Sequence, residues 1–282
     1  MGQHFNNISW YLNGEFINPA EARISIMDLG LLRGWGVFEY FRTYHGKLFK
    51  VEEHLRRFYE SSNRLCIRPP LSFNKMLALV KKLINKNKGV NQSCGIKIIL
   101  TAGVSVDGLT QPDKPTLAIL LFPLSPYADR FYREGIKIQT VKARRTVPEA
   151  KSLDYLRAMV ALSKAKKEGF DDILYVGEDD TVLEASRSNI FMVRKNKLYT
   201  PKTGILSGVT REAVIEVATK DYIVKRENFK LDYLKKADEV FITSTDKEIM
   251  PVCQIDNLII GDGVPGRVTM TLMRQFKEYV GQ

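Results

Sequence analysis

Three short apolar segments follow one another between residues 171 and 193, and they constrain the fold more than any other part of the sequence. The segments read DDILYV, TVLEAS and NIFMV, and polar residues separate them. Each has the length and composition of a β-strand. Strands grouped in this way, with helical patterns interspersed, are typical of α+β folds rather than of a doubly wound parallel sheet. We therefore predict a meander within an α+β protein.

Helical and strand patterns fill the rest of the chain. Helices are predicted over 52–65, after a cap at Ser72, and over 152–168, 211–220 and 268–279. Strands are predicted on both sides of a turn at His45-Gly46, and in CGIKIILTAG and PTLAILLFPL; the last is apolar enough for burial on both faces. The proline-containing segment FPLSPYADRFYREG indicates a linker. We expect a first domain at 1–121, a linker at 122–133 and a second domain at 134–282.

The charge of the chain restricts its partners. The formal net charge is +11, but the basic residues are scattered along the sequence. The densest cluster, LVKKLINKNKGV, has apolar residues at helical spacing, which predicts the solvated face of an amphipathic helix. We therefore expect no nucleic-acid partner. A basic binding protein without catalysis is the alternative from another functional class.

Location and metal content follow from simple absences in the sequence. No stretch approaches the roughly 20 apolar residues that span a bilayer, and the start, MGQHFNNISWYLNG, lacks the pattern of a secretory signal. Cys66, Cys94 and Cys253 are widely spaced, which argues against a disulfide framework or a zinc site. We expect a cytoplasmic protein with no membrane segment and no metal, in which Cys94 is a small buried hydrophobe.

Familiar catalytic signatures are missing. The histidines are His4, His45 and His54, and no G-x-S-x-G accompanies them. The sequence also lacks H-E-x-x-H, a P-loop and the glycine pattern of dinucleotide-binding folds. These absences direct attention to other side chains.

Two charged residues are candidates for covalent and acid–base chemistry. Lys151 lies at the entry to an amphipathic helix, and a lysine amine can form a Schiff base with a carbonyl. Glu184 lies where a strand loses its bulk, and a carboxylate there can keep the nitrogen of a flat ring protonated. Small residues beside it would leave room for that ring: Ala185, Ser186 and Ser188. The simpler alternatives are an exposed lysine and a strand-end carboxylate paired with a surface lysine.

Two loops and one helix are candidates for binding an anion. Gly208, Val209 and Thr210 begin a helix whose first amides lack partners within it, although Thr210 is equally a candidate N-cap. The strand FITS ends in a second polar segment of Thr243, Ser244 and Thr245. An arginine in EEHLRRFYESSNRL can hold a phosphate through paired N–H groups, or Arg56 and Arg57 can both be solvated at the surface.

Together these features describe one ligand, although each has a simpler structural explanation when it is taken singly. The lysine calls for an aldehyde, the glutamate for a basic ring nitrogen, and the arginine and amide-rich loops for a phosphate. Pyridoxal 5′-phosphate (PLP) carries all three groups.

The ordered set AKSLDYL, VLEASRSNIF, ILSGVTRE and FITSTDKEIMPV resembles the class IV, or fold-type IV, PLP-dependent aminotransferases. This family includes branched-chain aminotransferase, D-amino acid aminotransferase and aminodeoxychorismate lyase, and the resemblance runs over nearly the whole chain. It implies two α/β domains like those of D-amino acid aminotransferase, with the cofactor at the domain interface, and a homodimer.

The resemblance also implies roles for individual residues. Lys151 would carry the cofactor and act as the catalytic base and acid, Glu184 would face the ring nitrogen, and Tyr155 would contact the phenolic oxygen. The phosphate would be held by Arg57, Val209, Thr210 and Thr245. Further cofactor contacts are implied for Ser188, Asn189, Leu206, Gly208 and Ser244.

The substrate follows less directly from the resemblance. Arg42 matches an arginine of the branched-chain type, Phe38 is a further candidate for substrate binding, and the loop TAGVSVDGLTQPDK lacks the Arg-x-His of the D-amino acid type. Asp246 and Arg187 stand where the family has small residues, and an acid at 246 would repel a substrate carboxylate unless it turns away. We expect amino-group transfer from a branched-chain L-amino acid to a 2-oxo acid. The alternatives are aminodeoxychorismate lyase and D-amino acid aminotransferase.

Overall fold

The computed structural model describes residues 8–88 and 93–281, and the chain divides into two units. The first extends to Ser125 and also includes Ala150–Asp154, whereas the second comprises Pro126–Glu149 and the chain from Tyr155 onward. The segment 150–154, which we expected in the second domain, is therefore part of the first unit. His4, half of the stretch used to judge a secretory signal, and the end of the basic cluster lie outside the described residues.

The first unit contains an antiparallel sheet and two long helices. Its elements are β1 (Trp10–Leu12), β2 (Glu15–Ile17), α1 (Leu29–Arg33), β3 (Gly36–Tyr44), β4 (Lys47–Leu48), α2 (Val51–Arg64), α3 (Phe73–Lys86), β5 (Cys94–Thr101) and β6 (Thr116–Pro123). Within the described residues the strand order is β2-β1-β6-β5-β3-β4. Every pair in this order runs antiparallel.

Local sequence explains much of this unit. The β3–β4 hairpin turns at His45 and Gly46, which both have positive φ, as two-residue hairpin turns require. In α3, Met76, Val80 and Leu83 are fully buried while Lys81 and Lys82 are exposed, so the basic cluster is the solvated face of an amphipathic helix. The prediction that the β6 segment is buried on both faces is wrong. Its alternate residues 117, 119 and 121 are buried and those between them are only half-buried.

One buried carboxylate joins α1 to the sheet. Asp28 is fully buried and caps α1 by accepting a hydrogen bond from the Gly30 amide at 2.8 Å. Its other oxygen accepts from the hydroxyls of Thr101 at 2.9 Å and Thr116 at 2.7 Å, on β5 and β6. Asp28 thereby satisfies three donors that the fold withdraws from water.

The second unit is built on a larger mixed sheet. Its elements are α4 (Arg130–Arg133), β7 (Ile136–Lys142), α5 (Leu156–Lys167), β8 (Asp172–Val176), β9 (Val182–Ala185), β10 (Asn189–Arg194), β11 (Lys197–Thr200), α6 (Val209–Ala218), β12 (Ile223–Arg226), α7 (Leu231–Leu234), β13 (Glu239–Ser244), β14 (Glu248–Ile255), β15 (Leu258–Ile259) and α8 (Arg267–Tyr279). In the described part of the chain the order is β12-β11-β10-β13-β14-β7-β8-β9, and β15 also pairs with β14.

The central strands are buried on both faces. In β8, Leu174 and Val176 belong to one apolar cluster, and Ile173 and Tyr175 belong to another. This arrangement explains the nearly continuous apolar runs of the sequence, because a strand covered on both sides has no solvent-facing positions.

The predicted meander is only partly correct. β8 and β9 pair antiparallel, but β10 lies between β11 and β13, and no ladder among the described residues joins it to β9. The chain leaves the sheet through the small residues at 186–188 and re-enters it at another place. The α+β class nevertheless holds, because antiparallel pairs and helices are interspersed as predicted.

Two predicted helices begin later or earlier than expected. The helix predicted from Ser152 begins at Leu156, because the backbone before it pairs with β3: Phe38 donates to the carbonyl of Lys151, and Leu153 donates to that of Gly36. α6 begins at Val209 rather than 211. Within the described ranges, none of the helices has the length and apolarity needed to cross a membrane.

We predict that Asp28→Ala lowers the free energy of unfolding by about 3 kcal/mol, because it removes a helix cap and leaves two buried hydroxyls without their acceptor. Urea denaturation measures this loss. Asn18→Ala is the matched control, since Asn18 caps an exposed 3-10 turn through the Ala20 amide, and it should cost about 1 kcal/mol or less. Equal losses in the two variants would contradict the bridging role of Asp28.

Candidate active site

Lys151 is held in the first unit through its backbone. Its amide donates to the Ser61 hydroxyl of α2 at 3.0 Å, and its carbonyl accepts from the Phe38 amide of β3 at 2.9 Å. The amine lies 4.5 Å from the centre of the Phe38 ring. Lys151 is therefore not the exposed lysine of the simpler explanation. It is half-buried, and both sides of its peptide backbone are fixed to the sheet and the helix.

Arg57 on α2 forms a buried ion pair with Glu39 of β3. Its Nε donates to Glu39 Oε2 at 3.0 Å and its Nη2 donates to Oε1 at 2.5 Å. Arg57 is 8% exposed and Glu39 is fully buried, so the surface alternative is wrong for Arg57. It is correct for the neighbouring Arg56, which is exposed and pairs with Glu52. Sequence reasoning missed Glu39, although an acid inside the apolar strand GVFEYF was a signal.

His54 completes this cluster. Its Nδ1 lies 3.0 Å from Glu39 Oε1, and burial lowers the pKa of its imidazole, with Arg57 and Lys151 adding to the effect. Burial by itself raises the pKa of Glu39, but Arg57 and His54 outweigh it and hold that pKa well below its usual value. The cluster thus places a neutral histidine, an ionised carboxylate and a guanidinium on the same side of α2 as Ser61.

Glu184 in the second unit is the second predicted catalytic position. The carboxylate is 6% exposed. Its Oε1 accepts from Arg145 Nε at 2.9 Å and its Oε2 accepts from the Leu206 amide at 3.1 Å. The expected surface lysine is therefore replaced by a buried arginine. Arg145, which sequence reasoning missed, lies in a polar segment after β7 that carries no pattern marking one arginine as buried.

Several predicted cofactor contacts come together beside Glu184. The Leu206 carbonyl accepts from Asn189 Nδ2 at 2.8 Å, so Leu206 links Glu184 to Asn189. A Cβ atom at Gly208 would lie 2.0 Å from Asn189 Oδ1, which explains why this position has no side chain. The segment 204–210 thus lies directly against the start of β10.

The start of α6 has the properties of an anion site. Gly208 is the N-cap residue and makes no side-chain cap, and Thr210 is the second residue of the helix rather than its cap. Across the β10–β13 ladder from Asn189 lies Thr243, whose buried hydroxyl has no hydrogen-bond partner among the described residues. An acceptor such as a phosphate oxygen would satisfy it.

The small residues after Glu184 have structural partners of their own. The Ser186 hydroxyl donates to Asp172, and the Ser188 hydroxyl accepts from Lys247 Nζ at 3.0 Å. Lys247 also donates to Asp172 at 2.7 Å in a buried ion pair. Burial raises the pKa of Asp172, but the ammonium of Lys247 outweighs it, and the net shift is downward. These serines accommodate an ion pair, which a flat-ring explanation alone does not predict.

The predicted substrate residues occupy both units. Phe38 contacts Lys151 as described, and the Arg42 guanidinium lies 4.3 Å from the centre of the Tyr44 ring in the first unit. In the second unit, Asp246 accepts from the Ser244 hydroxyl at 2.6 Å and from Tyr127 at 3.1 Å, so local donors engage this carboxylate. Thr245 lies in the same turn, and Tyr155 packs partly buried before α5.

The sequence profile of the family "Amino-transferase class IV" matches residues 36–255, which span most of the chain. The chain belongs to the class IV aminotransferases. Membership of this family, predicted from the resemblance, is confirmed, and so is its enzymatic class.

Curated relatives carry two different specificities in their names. A putative branched-chain-amino-acid aminotransferase of Methanocaldococcus jannaschii is 36% identical over 278 residues, which cover 95% of each chain. A D-alanine aminotransferase of Staphylococcus epidermidis is 33% identical over 277 residues, covering 96% of this chain and 97% of the relative. The relatives therefore agree on the reaction type and differ in the amino acid.

Solved structures agree on the fold. The branched-chain amino acid aminotransferase of Escherichia coli matches with a TM-score of 0.90 and 26% identity, covering 97% of this chain and 94% of the other. A second branched-chain amino acid aminotransferase, from T.th. and solved with pyridoxamine 5′-phosphate, matches with a TM-score of 0.89 and 29% identity, covering 98% and 95%. The predicted fold-type IV, two-domain α+β fold is confirmed.

The donor groups present fit the cofactor that class IV aminotransferases use, which is PLP. A lysine amine, a buried carboxylate fixed by two donors, an uncapped helix start and an orphaned buried hydroxyl match its aldehyde, ring nitrogen and phosphate. A metal is not indicated, since no group of three or more His, Cys, Asp or Glu side chains in the described residues has metal-binding geometry.

We predict that Arg57→Met lowers the free energy of unfolding of the cofactor-free protein by about 3–5 kcal/mol at pH 7, because it leaves Glu39 buried without its cation. Denaturant titrations between pH 7 and 4 test it. Arg56→Met, in the same helical turn but exposed, should cost less than about 1 kcal/mol.

The pH dependence gives this prediction a definite sign. In the native protein the pKa of Glu39 is lowered, so its contribution is fully present above the usual value of 4.5 and is lost as the pH falls below it. In Arg57→Met, burial favours the neutral carboxyl, so acidification stabilises the variant. The deficit should therefore shrink from pH 7 to 4, and a constant deficit would contradict this account of the pair.

Proposed function

We propose that this enzyme is a PLP-dependent aminotransferase that moves the amino group of a branched-chain L-amino acid to a 2-oxo acid such as 2-oxoglutarate. The observation that carries the proposal is Glu184, a buried carboxylate with a separate donor on each oxygen, in a chain of this family. Two named branched-chain similarities, to the M. jannaschii relative and to the E. coli structure, support the substrate class.

When bound, PLP supplies an aldehyde that condenses with amines and a ring that accepts electrons from the substrate α-carbon. Glu184 would hold a proton on the ring nitrogen, because an anion within a few ångströms favours the cationic form of the ring. Lys151 would take the proton from the substrate α-carbon and deliver it to the carbon that becomes the new amine. Its fixed backbone limits the paths along which the amine can move.

The phosphate would be held by Arg57 together with Val209, Thr210, Ser244 and Thr245. Arg57 would do so while its fork is engaged by Glu39, so the carboxylate sets the plane of the guanidinium. The amides at the start of α6 and the Thr243 hydroxyl would add uncharged donors. Ser188, Asn189, Leu206 and Gly208 would shape the floor beneath the ring, and Tyr155 would contact the phenolic oxygen.

For the substrate, we propose that Arg42 binds the carboxylate and that Phe38 contacts the side chain. Asp246 would not oppose the carboxylate, since Ser244 and Tyr127 engage its oxygens. D-Alanine is the second candidate donor, and the 33% identity to the S. epidermidis enzyme favours it.

We propose a homodimer, and the apolar surface of the first unit supports it. The segment 24–33 packs against the loop 103–109 through the Ser105 amide and the Arg33 guanidinium. The surface they form exposes large apolar side chains, among them Ile26 at 76%, Val106 at 95% and Leu109 at 67%. Adjacent exposed apolar groups of this size are typical of protein interfaces. A cytoplasmic location is also proposed, since all three cysteines are free thiols.

We predict that Lys151→Ala lowers amino-group transfer by a factor on the order of 10³, because the proton then lacks its carrier. The assay supplies L-leucine, L-valine and D-alanine as donors, with 2-oxoglutarate and pyruvate as acceptors. Lys164→Ala, an exposed lysine on α5, should retain the activity of the unmodified enzyme. Full activity of Lys151→Ala would overturn the assignment. Pyruvate release from aminodeoxychorismate without any transfer would identify a lyase instead.

We predict that light scattering gives twice the mass of one chain, and that Val106→Lys shifts the protein toward the monomer by placing a charge on the apolar surface. Ile223→Lys is the control, because Ile223 is 59% exposed but lies in the second unit. A monomer in the unmodified protein would contradict the proposed dimer.

A further inference from the structure

Arg145 stands out because it is a buried cation without an assigned function. Its side chain is 9% exposed, and it lies in the segment between β7 and Lys151. Nε donates to Glu184 Oε1 at 2.9 Å, while Nη2 donates to the carbonyl of Pro148. A buried guanidinium costs free energy unless its donors are used, and Arg145 directs them to one carboxylate and one carbonyl.

The two oxygens of Glu184 are fixed from different directions. Oε1 receives the side chain of Arg145, whereas Oε2 receives the backbone amide of Leu206 at 3.1 Å. The amide cannot move without the loop 204–210, and the guanidinium is fixed in turn by Pro148. The plane of the carboxylate is therefore determined by parts of the chain about 60 residues apart.

The charges around Glu184 assign the electrostatic part of this arrangement to Arg145. Tyr175 on β8 is neutral at ordinary pH, since burial raises its pKa to about 12. Arg211 on α6 also senses Glu184, but its guanidinium bonds to Glu212 at 2.6 Å and to Thr200. Arg145 is the cation in hydrogen-bond contact with Glu184, and arginine stays charged at every accessible pH.

We propose that Arg145 is a positioning residue that keeps Glu184 ionised and correctly oriented for a protonated ring nitrogen. Without a touching cation, a carboxyl group with this burial takes up a proton more readily, because burial disfavours its charged form. A neutral Glu184 still forms a hydrogen bond but no longer stabilises a cationic ring. This inference rests on the proposed PLP site and adds the residue that maintains its acidic partner.

The experiment compares two ligands that differ only at the ring nitrogen. Dissociation constants of PLP and of 1-deazapyridoxal 5′-phosphate, in which carbon replaces that nitrogen, are measured on the cofactor-free full chain at pH 6 and pH 8. The aldehyde and the phosphate are common to both ligands, so their titration cancels in the ratio of the two constants. That ratio reports the interaction at Glu184 without any activity measurement.

In the native chain we expect a preference for PLP at both pH values. In Arg145→Met the preference should persist at pH 8 and fall about tenfold at pH 6, where Glu184 becomes protonated. Arg145→Gln keeps a donor but no charge and should behave like Arg145→Met, which provides a second test if the methionine variant folds poorly. Arg145→Lys should restore most of the preference, and Arg144→Met, at an exposed neighbouring position, should leave it unchanged.

The possible failures are distinguishable. If the native chain does not bind PLP, or does not prefer it to the deaza compound, the proposed function fails. If the native chain shows the preference and the Arg145 variants keep it at both pH values, this inference is overturned. It is also overturned if the variants weaken both ligands equally at both pH values, because that result indicates a purely structural role.

Discussion

A carboxylate removed from water must be accompanied by its partner, and this requirement shapes both units. Glu39, Asp172 and Glu184 are buried, and each contacts a cation: Arg57, Lys247 and Arg145. Each pair joins elements that are distant in sequence. Breaking a buried pair costs several kcal/mol because it leaves an isolated charge, so these pairs constrain where strands, helices and loops can lie.

The sequence anticipated the side chains that a ligand would touch better than the groups that support them. Glu184, Leu206, Asn189 and Gly208 were predicted as cofactor contacts, and hydrogen bonds or close approach bring them together. Glu39 and Arg145 were not predicted. Their partners lie 18 and 39 residues away, and no local periodicity encodes pairings across such separations. Only the folded arrangement reveals which of many charged residues meet.

The errors in secondary structure have the same origin. The pattern after Ser152 suits a helix, yet the peptide groups of Lys151 and Leu153 are already paired with β3, and tertiary pairing overrides helix propensity. Likewise, short polar connections predicted that β9 and β10 would be neighbours. Ser186 and Ser188 instead bind the Asp172–Lys247 pair at the break, and the chain resumes elsewhere in the sheet. Helix α3 and the His45-Gly46 turn, whose determinants are local, were predicted correctly.

The path of the chain around Lys151 has a consequence for how such a protein can be divided. Five residues, Ala150–Asp154, return to the first unit although the stretches on either side belong to the second. A truncated gene product that stops at Ser125 would lack the strand-like segment that pairs with Gly36 and Phe38, and with it the reactive amine. The two halves of this enzyme therefore cannot have arisen as independent modules joined by one linker, and they cannot be recombined with other halves at a single crossover.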